Sequence, residues 1–598
     1  MNIETEQPKV TWGGTWRTSA VSPWRIATIL APLTFLGLFL FYPLISILRY
    51  GVLKDGAITL RHLGEILDSR YYRRVILFTI EQALYSSVAT LALGLPAAYL
   101  LARREFRGKA VVRALLTIPF VLPTITVAIG FILLFGRNGI VNDLLDLFWE
   151  RKSILYNLQA IVLAHTFFNF AIVVRLVGTA WSALDPRLDQ AAASLGASPW
   201  KRFRHITLPL LRPAMLASFV LTFMYCFMSF TIVFILGDIN LSTIEVEIFT
   251  LNTTYVNYEL ASALAIIQIM FTLLFLYIYT VISNSIPDSA YEADLAGTEK
   301  GGVGPKSIGI FRKASPPKSS GIKGPGSTLR SLVTPGKIAT IGYVILIGVL
   351  ILGPMIEVVR HSFIVNEGGE ERYSFHWYRM ILDASTSPAG VGPVDSIINS
   401  LFFAFMTVVI AVPLGTAMAY ALHGKDFRGK NVLGAIFMLP LGISAITLAL
   451  GLLRGYSSGW LVLNGRWYGI VIAHAILSYP FVMRSVSSTL KRFDPHLREA
   501  AMSLGADRTV SFFRIELPLI MPGILVGAIF AFSISMGELG ATYMIHKPEY
   551  ATLPMVIYRY IGSREFGVGI ALSVVLMLIV FVSFLLIERA GSGKGSGF

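Results

Sequence analysis

The sequence predicts an all-α polytopic membrane protein made of two parallel six-helix repeats. Of its 598 residues, 55% are hydrophobic and 14% are charged, and the mean hydropathy of +0.67 is too high for a water-soluble protein of several domains. Apolar runs long enough to cross a bilayer recur along the chain. Segments of the first half return in the second half in the same order. Such a repeat predicts a pseudo-twofold axis along the membrane normal, with a pathway where the halves meet.

About twelve transmembrane helices are expected, because a bilayer core roughly 30 Å thick requires about 20 apolar residues per helix. In the first half the apolar runs lie near residues 24–48, 75–101, 111–136, 158–184, 208–237 and 259–285. In the second half they lie near 337–360, 396–422, 431–454, 467–490, 517–545 and 559–587. The first run is long and lacks a small-residue cleavage site, so we expect a retained helix that also acts as a signal anchor.

The two halves are separated by a stretch rich in Pro, Gly, Ser and Lys, which cannot bury a core and predicts a flexible cytoplasmic linker. The predicted organisation is a cytoplasmic tail at 1–23, a first six-helix half at 24–285, the linker at 286–336, a second six-helix half at 337–589 and a tail at 590–598.

The net charge of +15 is explained by topology. Lys and Arg gather in short segments at 102–110, 198–205 and 423–430 and in the linker, the pattern typical of cytoplasmic loops, so no nucleic-acid partner is expected. The segment 238–259 contains four acids and no Lys or Arg, which suits the outer side, whereas the arginines of 50–74 argue against this orientation. On balance both termini are expected in the cytoplasm. The single cysteine, Cys226, excludes an internal disulfide.

The repeat is visible in individual residues. The following pairs lie 309 positions apart: Gln190 and Glu499, Gly196 and Gly505, Pro209 and Pro518, His165 and His474, Arg175 and Arg484. Upstream, REFRGK at 104–109 matches KDFRGK at 425–430 at a separation of 321. The difference of 12 indicates an insertion in the first half, which we place in an outer loop near 137–157.

The best-repeated segment is a polar stretch between apolar runs, DQAAASLGASPWKRFRHITLP at 189–209 and REAAMSLGADRTVSFFRIELP at 498–518. Asp494 before Pro495 predicts a capped helix start, since a proline at the first helical position loses nothing by lacking its N–H. Leu497, Ala500, Ala501 and Leu504 form one apolar stripe, and Gly505 suits the left-handed conformation that ends a helix. A second short helix follows. The segment therefore predicts a helix-turn-helix on the cytoplasmic face that another protein docks against, and its double occurrence disfavours a helix that merely lies on lipid.

This pattern resembles the EAA motif of permeases of binding-protein-dependent ABC importers. The second segment matches the motif throughout, at Glu499, Ala500, Ala501, Gly505, Ile515, Leu517 and Pro518. The first segment matches at Ala191, Ala192, Gly196, Ile206, Leu208 and Pro209, but Gln190 replaces the usual Glu. The resemblance covers both halves. It implies that each segment is a coupling helix seated in a groove of an ATPase subunit, with two ATPase copies on the cytoplasmic side and contacts made unequal by Gln190.

The resemblance also implies an external solute-binding protein and a location in the prokaryotic cytoplasmic (inner) membrane. No GxxxxGK[ST] loop occurs in the sequence, so the chain is expected to be a non-enzymatic transport subunit without cofactor or metal, with ATP and Mg bound by the partner. The fused arrangement and the C-terminal SMGELGAT region most resemble permeases for ferric iron or thiamine. GELGAT also resembles oxyanion permeases for molybdate and sulfate, and phosphonate import remains a further alternative.

Two other classes of function each find partial support in the sequence. An ion-coupled secondary transporter is suggested by the intramembrane acids Glu81 and Glu538, but such a carrier has no reason to possess the coupling segments. A serine hydrolase is suggested by GYSSG at 455–459 with His474 downstream, but this motif requires a strand-turn-helix elbow and here bridges two apolar runs.

Polar residues within the spans are candidates for the pathway. Glu538, its equivalent Ser229, and the pair His165 and His474 are the pathway candidates, and a lone Glu538 facing the bundle interior would favour a cationic solute. Each also has a structural interpretation: Glu538 as a hydrogen-bonded carboxyl that fixes helix packing, and the histidines as packed side chains bonded to the backbone. Arg175 and Arg484 lie too far from the cytoplasmic loops to reach them comfortably, so pairing within the bundle is expected.

Overall fold

The computed structural model describes residues 23–592, except 55–56, 105–108, 110–111, 113–121, 138, 147–154, 239, 284–334, 368–369, 385–386, 424–426, 428, 460 and 493–494. Almost all of the predicted tails and linker, and the expected Asp494 cap, lie outside these residues. The domain boundaries therefore stay predictions.

In the part of the first half that the structure describes, the chain forms helices and one short hairpin, β1 (Leu53–Lys54) and β2 (Ala57–Ile58). Its helices are α1 (Pro23–Leu36), α2 (Tyr42–Val52), α3 (Arg61–Asp68), α4 (Arg70–Arg103), α5 (Thr124–Phe135), α6 (Ile140–Asp146), α7 (Leu158–Ala183), α8 (Pro186–Ser194), α9 (Pro199–Arg202), α10 (Leu208–Phe227), α11 (Thr231–Leu236), α12 (Ile244–Thr253) and α13 (Tyr258–Ser283). A π-helical turn at Gly37–Phe41 joins α1 to α2, and another at Phe203–Thr207 joins α9 to α10.

The second half repeats this order, with a hairpin of β3 (Ile364–Glu367) and β4 (Glu370–Tyr373) after its first helix. Its helices are α14 (Pro335–His361), α15 (His376–Asp383), α16 (Pro393–Leu422), α17 (Lys430–Met438), α18 (Ala445–Gly455), α19 (Trp467–Leu490), α20 (Pro495–Ser503), α21 (Arg508–Ser511), α22 (Leu517–Gly537), α23 (Gly540–Ile545), α24 (Leu553–Gly562) and α25 (Phe566–Ser592). The all-α class and the two parallel repeats are confirmed.

Among the described residues, eleven helices are long and apolar enough to cross a membrane, or twelve if one bent pair is counted as a span. That pair, Lys430–Gly442 and Ala445–Gly455, replaces the straight helix expected at 431–454 and bends by 99°. Pro440 and Gly442 occupy the bend. Ser444 then starts α18 by accepting a hydrogen bond from the Thr447 backbone N–H at 3.0 Å.

Three further expectations about the spans were wrong. The runs at 208–237 and 517–545 are not continuous, since α10 ends at Phe227 and α22 at Gly537, and a short helix follows each break. The last span begins at Phe566 rather than 559 because Leu553–Gly562 forms a separate helix. The acidic segment 238–259 is not simply a loop, because it contains α12, in which Glu245 and Glu247 are buried.

Each half is built around three closely packed helices: α4, α7 and α10 in the first, α16, α19 and α22 in the second. The central members, α7 and α19, are the most enclosed of the candidate spans, since 72% of the residues in the most apolar stretch of each are buried. The first span of each half packs on the opposite half as well as on its own: α2 packs on α18 and on α13, and α14 packs on α5 and on α25. Two glycines permit these contacts between the halves. A Cβ on Gly451 of α18 would collide with the backbone of Pro43 of α2, and a Cβ on Gly130 of α5 would collide with the backbone of Pro354 of α14. The contacts of the first spans with the opposite half join the two repeats into one bundle.

Candidate functional site

The first coupling segment has the predicted helix-turn-helix geometry. The Asp185 carboxylate caps α8 by accepting a hydrogen bond from the Arg187 backbone N–H at 2.9 Å. Gly196 has φ +80°, the left-handed conformation that ends the helix, and the Ala197 N–H closes the turn on the Ala192 carbonyl at 3.0 Å. Ser198 then caps α9.

The second coupling segment ends in the same way. Gly505 has φ +89°, and the Ala506 N–H reaches the Ala501 carbonyl at 3.0 Å. The Asp507 carboxylate accepts a hydrogen bond from the Val510 N–H at 2.6 Å and starts the next short helix. Each turn favours glycine because of its positive φ. Crowding does not add to this preference, because no neighbouring atom lies within 4 Å of where a Cβ would be.

The surface of the two segments is apolar at equivalent points. Leu195 and Leu504 are each 89% exposed, immediately before the two glycines, and Trp200 is 66% exposed. Gln190, Glu499, Ala191 and Ala500 are exposed too, Ala192 is half-buried, and Ala501 is buried. Large apolar side chains fully open to water are a feature of surfaces that bind another protein.

Ion pairs join the segments to the helices that follow them, and they differ between the halves. In the first half, Asp189 pairs with Arg202 at 2.7 Å. In the second, Arg498 approaches the buried Glu516 carboxylate at 3.9 Å, and the Tyr420 hydroxyl of α16 donates a hydrogen bond to it at 3.2 Å. The sequence analysis did not predict this second connection, although Glu516 stands directly before Leu517 and Pro518.

His165 and His474, the two histidines predicted as pathway candidates, are buried inside their own halves. His165 Nδ1 lies 3.1 Å from the Ser86 hydroxyl, and His474 bonds to the Ser535 and Thr542 hydroxyls at 2.8 Å each. Their partners are thus side-chain hydroxyls, not the backbone groups that were expected.

Glu538 lies at the break between α22 and α23, not within a continuous span. Its carboxylate accepts hydrogen bonds from the backbone N–H groups of Ala541 and Thr542 at 3.0 Å each, so it caps α23. One carboxylate oxygen lies 3.5 Å from His474 Nε2. Ser229, at the equivalent break after α10, offers no carboxylate for such a cap. The structure therefore gives Glu538 a definite packing role, and its pathway role stays a prediction.

Two other residues singled out from the sequence are placed by the structure. Glu81 is exposed on α4 beside the exposed apolar side chains Leu77 and Leu84, so it does not face the bundle interior. Ser457 lies after the end of α18, where its hydroxyl donates to the Arg454 carbonyl, not on a strand-turn-helix elbow. These placements give no support to the carrier or hydrolase interpretations.

A buried polar contact joins the halves near the bent pair. Gln268 of α13 donates a hydrogen bond to the Glu245 carboxylate of α12, and its amide oxygen accepts one from the Thr447 hydroxyl of α18 at 3.1 Å. All three side chains are buried. Burial raises the pKa of Glu245 to about 8. This network was not predicted from the sequence, because Glu245 stands in a segment interpreted as an outer loop.

Comparison with known proteins agrees with this architecture. The model of the family "Binding-protein-dependent transport system inner membrane component" matches residues 91–287 and again 394–591. The ferric transport system permease protein FbpB of Actinobacillus pleuropneumoniae is 23% identical over 94% of this chain and 78% of its own length. The thiamine transport system permease protein ThiP of Brucella suis is 24% identical over 88% of this chain and 89% of its own.

A third relative matches over a shorter range. The putative 2-aminoethylphosphonate transport system permease protein PhnV of Salmonella typhimurium is 32% identical over 34% of this chain and 76% of its own length. The family model covers most of both halves, in the same order, as the repeated coupling segments require. The chain therefore belongs to the binding-protein-dependent inner membrane component family and is a fused, two-half permease subunit of an ABC importer.

Proposed function

We propose that two copies of an ABC ATPase dock on α8 and α20 from the cytoplasm and drive alternating access of the bundle. The observation that carries this proposal is the equal exposure of Leu195 and Leu504, 89% each, at the two left-handed turns. An apolar side chain so placed gains stability only when a partner covers it. Both termini are cytoplasmic in this orientation, and a separate binding protein delivers the solute to the opposite side.

The solute we propose first is ferric iron or thiamine. The support is the extent of the relatives: the ferric and thiamine permeases match across both halves, whereas the phosphonate permease matches about a third of this chain. Import of 2-aminoethylphosphonate or another oxyanion is the second candidate, supported by the 32% identity of the phosphonate permease over the part of this chain that it matches.

The test is reconstitution of the chain in vesicles with candidate ATPase and binding proteins. Ferric iron, thiamine, 2-aminoethylphosphonate, molybdate and sulfate are each added outside, and ATP hydrolysis and uptake are measured. One solute with its binding protein should stimulate hydrolysis and accumulate inside. Uptake of the same solute in vesicles without any ATPase would overturn the proposal and return the chain to the class of ion-coupled carriers.

A further inference from the structure

Four aromatic rings meet where the two halves of the bundle face each other. Phe234 of α11 and Phe249 of α12 belong to the first half, and Tyr543 of α23 and Tyr558 of α24 belong to the second. Phe234 and Tyr543 lie 309 positions apart, and so do Phe249 and Tyr558, which is the spacing of the repeat. These four rings, the axial cluster, are therefore two pairs of equivalent residues.

The ring contacts follow the same symmetry. Within each half the rings meet edge to face, Phe234 with Phe249 at 5.1 Å between centroids and Tyr543 with Tyr558 at 5.7 Å. Between the halves, Phe234 stacks on Tyr558 at 5.0 Å, and Phe249 contacts Tyr543 at 5.2 Å. Each ring of the cluster thus contacts a ring of its own half and a ring of the other half.

The axial cluster lies on the pseudo-twofold axis. The centroids of the equivalent rings Phe234 and Tyr543 are 6.5 Å apart. A twofold axis passes midway between equivalent groups, so each of these two rings lies about half that distance from the axis. A pathway between two parallel repeats runs along this axis. The rings therefore occupy the place of the pathway itself rather than its wall.

The cluster lies on the side of the bundle opposite the coupling segments. α10 begins at Leu208, directly after the first coupling segment, and its 20 residues extend roughly 30 Å before α11 follows. α22 leads from the second coupling segment toward α23 in the same way, over 21 residues. The helices α11 and α23 therefore lie about one bilayer thickness away from the coupling segments.

Two of the four rings lie on short helices that are set off from the long spans. α11 and α23 have six residues each, and each follows a break at the end of a span. At the first break, Met228 departs from helical values, with φ −91° and ψ 14°, and at the second, Glu538 is extended, with φ −78° and ψ 122°. A hinge absorbs a rotation in a few such residues, so Phe234 and Tyr543 can move apart without bending α10 or α22.

Burial distinguishes the axial cluster from core packing. Phe249 is buried, but Phe234, Tyr543 and Tyr558 are only half-buried although they lie between the halves. The apolar area buried by a ring sets how strongly its contacts hold. A contact that leaves three of its rings half-buried therefore costs less to open than a closed core does.

We propose that the axial cluster is a gate that closes the solute pathway on the side opposite the coupling segments and opens when α11 and α23 move away from the axis. The inference rests on the import function proposed above and deepens it by naming the residues that the solute must pass. Four uncharged rings in contact form an apolar constriction, which excludes water and polar solutes while it is closed.

The first experiment measures access through the closed gate from outside. The reporter is Ser229→Cys in a Cys226→Ser chain, because Ser229 is half-buried at the break between α10 and α11, before Phe234 on the coupling side. The full-length chain, in right-side-out membrane vesicles without ATPase, is treated with a membrane-impermeant methanethiosulfonate cation. Labelling should be slow with the gate intact and several-fold faster when Phe234→Ala and Tyr543→Ala are added.

Two controls accompany this measurement. Tyr255→Cys, in the turn before α13, is the reference for free access from outside, because Tyr255 is 68% exposed. The matched control for ring removal is Phe402→Ala with Trp467→Ala. These rings contact each other at 5.3 Å between α16 and α19, and Phe402 is 42% exposed on the surface of the bundle. Their removal should leave labelling of the reporter unchanged.

Three outcomes would overturn the gate. They are labelling of the gate-intact reporter as fast as that of Tyr255→Cys, a rate unchanged by loss of the two gate rings, and an equal rise in the Phe402→Ala, Trp467→Ala control. If the alanine variant does not fold, Phe234→Leu with Tyr543→Leu supplies the test, because leucine retains apolar volume but lacks the ring. Labelling should still rise above that of the control, and an unchanged rate would count equally against the gate.

The second experiment separates the gate from the proposed function. The gate-intact reporter chain is assembled with its ATPase and binding protein, and labelling from outside is compared with and without ATP and vanadate. Faster labelling in the trapped complex supports opening during transport, and an unchanged rate in a complex that imports solute would overturn it. If no ATPase binds or no solute is imported, the proposed function fails, whereas the first experiment still decides whether the axial cluster closes the pathway.

Discussion

Replacing Leu504 with Ser tests the docking surface most directly. Leu504 is 89% exposed, so the free chain loses almost no buried apolar area when the side chain is shortened and made polar. If an ATPase buries this side chain, the complex loses about 2 kcal/mol, the usual value for full burial of a leucine. That free energy corresponds to roughly a thirtyfold weaker affinity. The substitution should therefore weaken the complex without changing the stability of the permease.

The assay is titration of the detergent-purified chain with its ATPase, together with the melting temperature of the free chain. Leu195→Ser, at the equivalent turn, should act in the same direction. The matched control is Leu382→Ser, because Leu382 is 74% exposed on α15 at the opposite end of the bundle. Unchanged affinity in both coupling variants would refute the docking surface. A lower melting temperature would show instead that Leu504 stabilises the permease itself.

Three further substitutions follow from local geometry. Gly505→Leu should reduce transport and retain membrane insertion, because a side chain at φ +89° costs about 1–2 kcal/mol. Gly505→Asn should retain most transport, because Asn tolerates this conformation. Equal transport by both variants and the wild type would contradict the role of the turn. Glu538→Gln should lower the melting temperature, because the amide keeps one hydrogen-bond acceptor for α23 but loses the charge beside His474. A fall in cation uptake at unchanged melting temperature would favour the pathway role instead. Because burial raises the pKa of Glu245 to about 8, the folded state keeps a proton that the unfolded state releases near the ordinary pKa of about 4.5. The melting temperature should therefore fall as the pH rises from about 4.5 to 8. Glu245→Gln should remove this pH dependence, and an equal dependence in both proteins would contradict the explanation.

The sequence was informative wherever function depends on a backbone conformation or a repeat. Gly196 and Gly505 were identifiable because a short helix ended by a glycine has a local signature, and its second copy removed the ambiguity. The number of spans was also accessible, since length and apolar composition largely decide which segments enter a bilayer.

The breaks within the spans were not accessible in this way. The run at 431–454 remains apolar through its 99° bend, so hydropathy does not register Pro440 and Gly442 as a change of direction. At the end of α22, the Glu538 side chain both marks the break and caps the next helix, but its sequence context, Gly-Glu-Leu-Gly, also fits a polar residue inside a continuous span. Such ambiguity is resolved only when the partners of the carboxylate are known.

The burial of Glu245 could not be predicted for a different reason. Acidic residues outside long apolar runs are usually solvated, and Glu245 stands in a segment with other acids. Its partners, Gln268 and Thr447, lie in other helices, and Thr447 belongs to the opposite half. A contact of this kind follows from the way the halves pack and has no signal in the local sequence.

The two coupling segments share a backbone conformation but are tied to neighbouring helices by different side chains. In the first half, the tie from α8 ends on Arg202 in the next short helix, close to the surface. In the second, Arg498 of α20 reaches the buried Glu516, which is also bonded to Tyr420 of the core helix α16. Through Glu516 and Tyr420, α20 is therefore connected to the core helix α16 as well as to the helix that follows it, whereas the Asp189–Arg202 pair connects α8 to the span that follows it, Pro199–Phe227. Gln190 also stands where the second segment has the Glu499 carboxylate, so the two segments differ both in their exposed faces and in the side chains that tie them to neighbouring helices.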